Sequence, residues 1–184
     1  QYGNVIEVPS ILNKYLPGND KKIKKKKNSI LITAGKSGEL INAFNKIKTY
    51  LMKEKICSIY YDKILDNKPS TNCKNNFDYT DQSFSKIKLI ICRPGIGTIT
   101  DAIRFDIPLI VDKYYSNLEM EFNSKKIEEL GIGIRLDFNN KIKFAHLIRK
   151  LFNDSSRIKR MVHILKNIDA GGSNIIAKKI LGWK

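Results

Sequence analysis

The sequence predicts an α/β domain, a doubly wound, Rossmann-like parallel sheet flanked by helices. Three observations carry that expectation. The runs SILIT at 29–33, KLIIC at 88–92 and IPLIV at 107–111 are apolar almost throughout, as strands buried on both faces are. Stretches with helical spacing alternate with them. The chain has 184 residues, enough for one domain with a real core.

Each element follows from its own signal. The first strand is 29–33. Residues 37–54 place Leu40, Ile41, Phe44, Ile47, Leu51 and Met52 on one helical stripe. ICSIYY at 56–61 is a second strand, and 62–76, holding Asn, Lys, Pro and Ser, reads as loop. A short extended piece is expected at 77–79. The strand 88–92 leads into a helix at 98–105 and the strand 107–111. A helix over 119–130 stops at Gly131, a common C-terminal punctuation. GIRLD at 133–137 is the last strand, with helices at about 142–152, 155–168 and 173–182. Ligands of such folds bind at the carboxyl ends of strands. The loops of interest are therefore 34–38, 78–82, 93–97 and 112–118.

Composition narrows the classes. Hydrophobic residues are 42% and charged residues 28%, which suits a globular domain. No apolar run approaches the roughly 18–20 residues of a membrane span. Three cysteines, Cys57, Cys73 and Cys92, show no CxxC spacing; Cys57 and Cys92 lie in apolar runs and read as buried residues of a reducing, cytoplasmic compartment. His146 and His163 have no neighbour at a metal-ligand spacing. The net charge is +16, with six lysines in the seven positions 21–27. That run reads as a solvated linker, with a peripheral contact to anionic lipid head groups as the alternative. It holds no aromatic residue, which argues against nucleic acid. The chain shows no signal peptide and does not begin with Met, so its first residues are expected to be the edge of a fragment.

Three motifs need weighing. Thr33-Ala34-Gly35-Lys36-Ser37-Gly38 suggests a nucleotide-triphosphate loop, but Ile30 occupies the position of the required first Gly. It reads as a strand-to-helix turn. Gly95-Ile96-Gly97 is a partial dinucleotide fingerprint, with Thr100 in place of the third Gly. Thr98 and Asp101 have the spacing of a capping box, a structural helix start. The same start offers free N–H groups and a positive helix end to an anion, and capping alone does not need two glycines. Glu119 and Glu121 open a later helix just past Tyr114-Tyr115. They are dipole partners of a helix start, or cleft carboxylates able to accept from sugar hydroxyls.

Four pieces in order carry a resemblance: Arg93-Pro94-Gly95-Ile96-Gly97-Thr98-Ile99-Thr100-Asp101-Ala102, Asp106-Ile107-Pro108, Glu119-Met120-Glu121-Phe122-Asn123-Ser124, and Leu130-Gly131-Ile132-Gly133. Together they resemble the donor-binding, C-terminal half of GT-B glycosyltransferases. The branch is the one that includes the peptidoglycan N-acetylglucosaminyl transferase. Its members read approximately R-x-G-x-x-T-x-x-E-A, G-x-P, D/E-Q-x-x-N-A and L-G-x-G. The resemblance implies that 29–184 binds a nucleotide sugar, commonly a UDP-sugar, and that 1–28 is a linker from a missing N-terminal acceptor domain. It implies a donor site of Arg93, Gly95, Gly97, Thr98, Asp101, Glu119, Met120 and Asn123. Gly95, Gly97 and Thr98 would line the diphosphate, Asp101 the ribose, and Glu119 the sugar. Met120 stands where the family usually has Gln, and Asp101 is one methylene shorter than the usual Glu. The fold needs no bound metal or cofactor, and there is no DxD motif here. No general base is found among these residues, so the isolated chain is expected to bind without turnover. Two alternatives remain: a complete small donor-binding subunit of a two-component transferase, or a nonenzymatic module that retains the fold.

Overall fold

The computed structural model describes residues 29–34, 41–55, 57–62, 65, 77–113 and 115–168. The expected linker 1–28, the turn at 35–38 and the helix at 173–182 lie outside them.

Five parallel strands form one sheet in the order β2-β1-β3-β4-β5. They are β1 (Ser29–Thr33), β2 (Ser58–Tyr61), β3 (Leu89–Cys92), β4 (Leu109–Asp112) and β5 (Gly133–Leu136). Ile30 lies opposite Leu89, and Ile90 opposite Leu109. The helices are α1 (Ile41–Glu54), α2 (Asp81–Phe84), α3 (Ile96–Arg104), α4 (Leu118–Glu129), α5 (Lys141–Asn153) and α6 (Ser156–Lys166).

The pleat divides the apolar residues into two cores. Ile30, Ile32, Leu89 and Ile91 pack against Phe44, Ile47 and Leu51 of α1, Phe144 and Ile148 of α5, and Ile158 of α6. Leu31, Ile90 and Cys92 turn the other way, onto Phe84 of α2, Ala102 and Ile103 of α3, and Ile127 of α4. Side chains such as Ile30, Ile90 and Leu89 are fully buried, which is why these strands read as continuous apolar runs. Each such burial contributes about 1.5–3 kcal/mol. The sheet is thus doubly wound, as the sequence predicts.

Local differences have local causes. No strand forms at 77–79: Phe77 donates to the Tyr61 carbonyl at 3.3 Å, but Tyr79 has φ 57, and the chain runs on into the single turn α2, which the sequence did not announce. β4 starts at Leu109 because Ile107 still donates to Ala102 of the preceding helix and Pro108 has no N–H to give a neighbour. The helix expected at 98–105 begins at Ile96. That shift matters for the site.

Chain order sets where a ligand fits. From β1 the chain steps outward to β2, then returns to the opposite side for β3. The crevice between the carboxyl ends of β1 and β3 is therefore the topological switch point of the sheet.

Candidate functional site

The strand β3 ends at Cys92, and Arg93-Pro94-Gly95 connects it to α3 at the switch point. The Gly95 amide donates to the Arg93 carbonyl at 2.8 Å, which folds the connection tightly. Pro94 is buried, and its carbonyl accepts from Asn123 Nδ2 of α4 at 3.0 Å. Asn123 is itself buried. This expected donor residue therefore acts through the loop, tying it to α4.

The first intrahelical bond of α3 runs from the Ile99 amide to the Gly95 carbonyl at 3.0 Å. Gly95 is thus the N-cap, and it offers no side-chain cap. The capping box expected of Thr98 and Asp101 is not formed. Thr98 is the third residue inside the helix, and Asp101 lies a turn further on. The amides of Ile96, Gly97 and Thr98 precede the first intrahelical bond and have no carbonyl in the helix to meet. Thr80, Asn117 and Asn140 cap α2, α4 and α5 with their side chains; α3, like α6, has no such bond.

The two glycines of this turn are not required by the fold. Gly95 has φ −73, open to any residue. A Cβ added to Gly95 or to Gly97 would meet nothing within 4 Å. Gly97 is exposed at the surface of the helix start. The turn therefore leaves a bare backbone recess in front of three amides and the positive end of a helix.

Around the recess, Asp101 is half-buried. Desolvation raises its carboxyl pKa above the ordinary range; Arg104 opposes this and Asp81 adds to it. Arg104 pairs with Asp81 at 3.1 Å. On the β1 side, Tyr79 donates its hydroxyl to Asp62 and lies 3.2 Å from the Thr33 hydroxyl, while Asp62 accepts from the Ala34 amide at 3.1 Å. This knot joins the carboxyl ends of β1 and β2 to the loop before α2. Burial and the hydrogen bond to Asp62 push the Tyr79 phenol well above its ordinary range, so it stays protonated. Tyr79 falls in the loop of interest 78–82, but no local pattern signals its bond to Asp62, because the contact is long-range.

The expected residues on α4 separate. Glu119 is exposed, and among the described residues no partner holds its carboxylate. Met120 is buried, 6% exposed, and packs inward from the first turn. Glu121 is committed elsewhere, to Arg135 at 2.8 Å and Lys125 at 3.2 Å. Desolvation works against its ionisation, yet Lys125 and Arg135 prevail and hold its carboxyl below the usual range. Lys113, Tyr115, Ser116, Glu121, Glu128 and Arg135 line a polar hollow of about 640 Å³ on this side. Tyr115 accepts from the Asp112 amide at 2.9 Å, which fixes the loop after β4.

Chemically, the arrangement suits anion binding. Cys92 is fully buried and burial pushes its thiol far up, so it is no nucleophile. Among the described residues no group of three or more His, Cys, Asp or Glu side chains could hold a metal ion.

Residues 10–173 match the family model described as the glycosyltransferase family 28 C-terminal domain. The chain belongs to this family. Its fold is that of the C-terminal half of GT-B glycosyltransferases, as solved structures show. MurG of Acinetobacter baumannii aligns with a TM-score of 0.60 at 16% identity, covering 95% of this chain and 55% of that one. CalG4, the calicheamicin glycosyltransferase, gives 0.60 at 14% identity over 95% and 45%. The spinosyn rhamnosyltransferase SpnG, complexed with thymidine diphosphate, gives 0.57 at 16% identity over 97% and 54%. This family 28 domain spans about half the length of the solved structures it matches. No curated protein matches it significantly.

Proposed function

We propose that this chain is the donor-binding half of a glycosyltransferase and that the diphosphate of a nucleotide sugar rests on the start of α3. One observation carries the reading: Gly95 and Gly97 leave open space that neither backbone conformation nor packing requires. A diphosphate uses such a recess, because close approach lets the Ile96, Gly97 and Thr98 amides and the Thr98 hydroxyl all donate to it. Arg93, on the same turn, supplies a cation for the second phosphate. Asp101 accepts from a ribose hydroxyl and Glu119 from a sugar hydroxyl. Met120 shapes the wall beneath the sugar, and Asn123 holds the turn in place.

In this reading the donor is a UDP-sugar, as the resemblance to the peptidoglycan-transferase branch implies. The neighbour complexed with thymidine diphosphate supports a pyrimidine nucleoside diphosphate in this fold. In the complete enzyme the helix start stabilises the departing diphosphate. A general base on the acceptor hydroxyl comes from an N-terminal acceptor domain joined through 1–28. The reaction requires no metal, consistent with the lack of a DxD motif. In this reading the protein works in a reducing, cytoplasmic compartment, where a buried thiol such as Cys92 stays free. Separately, among the described residues no helix is long and apolar enough to cross a membrane. The peripheral membrane contact suggested by lysines 21–27 rests on residues outside those described.

Calorimetric titration with UDP, ADP and inorganic phosphate tests this. UDP is expected to bind more tightly than phosphate, and Asp101→Ala to weaken UDP while leaving phosphate unchanged. A folded chain that ignores millimolar UDP would remove the donor reading.

A further inference from the structure

Charge is divided between the two faces of the sheet. The helices α1, α5 and α6, which cover the first core, carry eleven lysines and arginines and one carboxylate. The helices α2, α3 and α4, on the other face, carry three cations and six carboxylates. The three cations there are paired: Arg104 with Asp81, Lys125 with Glu121, and Lys126 with Glu129. No carboxylate occurs within α5 or α6, which carry four cations each. The one carboxylate between them, Asp154, accepts from the Ser156 amide at 3.0 Å at the start of α6.

These cations face outward. Lys143 and Lys150 of α5 and Arg157, Lys159 and Arg160 of α6 are exposed, while Phe144, Ile148, Ile158 and Met161 face the core. The position of the helices is equally definite. Phe152, near the end of α5, lies under the Lys88 ammonium, just ahead of β3. Leu165 of α6 reaches the second core, and Ile164 lies beside Gly131, just ahead of β5. So α6 crosses the amino ends of the strands, opposite the α3 start. A surface bound at α6 leaves the crevice at the carboxyl ends open.

We infer that the outer surface of α5 and α6 docks on an anionic lipid bilayer. A flat anionic sheet can meet cations spread over several helices at once, and the acidic opposite face turns the domain so that this side leads. Nucleic acid fits less well, because the exposed residues of α5 and α6 include no Phe, Tyr or Trp on which a base could stack. The inference does not depend on the donor reading, nor on lysines 21–27.

Flotation of the full chain with phosphatidylserine–phosphatidylcholine vesicles is the test. Binding is expected to exceed that to pure phosphatidylcholine by about tenfold or more, and to collapse near molar salt, where screening acts within about 3 Å. Arg157→Glu with Arg160→Glu should reduce it at least tenfold, with the melting temperature monitored. Lys143→Glu with Lys150→Glu repeats the test on α5 in case the first pair disturbs folding. Lys125→Glu with Lys126→Glu changes the net charge equally on the other face and should leave binding intact. Three results would overturn the inference: equal binding to neutral vesicles, parental binding by both the α5 and the α6 variants, or duplex DNA bound as tightly as the vesicles with the same losses in those variants.

Discussion

Two glycine pairs close two turns of this domain, and they are there for different reasons. Gly131 lies in the turn after α4, and Gly133 opens β5. Gly131 has φ +70, which L side chains rarely adopt, and a Cβ on Gly133 would come within 2.4 Å of Ile127 and 2.6 Å of the Leu109 carbonyl oxygen. The fold itself demands them. Gly95 caps α3 and Gly97 lies in its first turn, and at either an added Cβ meets nothing within 4 Å. The fold does not demand them, and the space they leave faces three free helix-start amides. A glycine that packing explains says nothing about function. One that packing leaves unexplained, at a switch point, indicates what must approach the backbone.

Variants can break or sharpen this contrast. The largest effect is expected from Gly133→Ala. The new methyl presses on backbone as well as on a side chain, and overpacking of this kind costs about 1–3 kcal/mol or more. The melting temperature should fall by roughly 2–4 °C for each kcal/mol. Thermal unfolding measures it, and an unchanged midpoint would mean that the turn is looser than described.

Thr98→Ala comes next, and its effect should be on binding alone. Thr98 does not cap α3, so stability should stay within about 0.5 kcal/mol of the parent. UDP affinity should fall by roughly 1.5–3 kcal/mol if the hydroxyl donates to a charged phosphate. Early melting with intact UDP binding would reverse that assignment.

Asn123→Ala should cost about 0.5–1.5 kcal/mol through loss of the bond to the Pro94 carbonyl. UDP should also bind more weakly, because the recess is then less well held. The smallest effect is expected from metal. Replacing magnesium with EDTA should change UDP affinity less than tenfold, or about 1.4 kcal/mol.

How much of this was legible in the sequence follows from the range of each interaction. Apolar runs such as 88–92 and the stripe in 37–54 reflect burial by whole layers, so sheet and helices could be read directly. Gly131 was recognised as a helix stop from its place after a periodic stretch. The start of α3 is not legible, because a glycine N-cap has no side chain to announce it, while Thr98 and Asp101 have capping-box spacing without forming one. The Tyr79–Asp62 knot joins residues 17 apart and depends on a positive φ at a tyrosine, which no local pattern signals. Asn123 was singled out through the resemblance. Its bond to a carbonyl 29 residues away became visible only in the fold.

The central claim is that the β3–α3 turn keeps its glycines for a diphosphate. The direct measurement is UDP affinity together with melting temperature for Gly95→Ala combined with Gly97→Ala. Both methyls enter open space; at 97, inside the helix, Ala is favoured over Gly by about 0.5–1 kcal/mol, while at 95, the N-cap, Ala is disfavoured by roughly a similar amount. The account predicts a domain within about 1 kcal/mol of the parent in stability that binds UDP tenfold more weakly or worse. A variant that is equally stable and binds UDP as the parent does would contradict it.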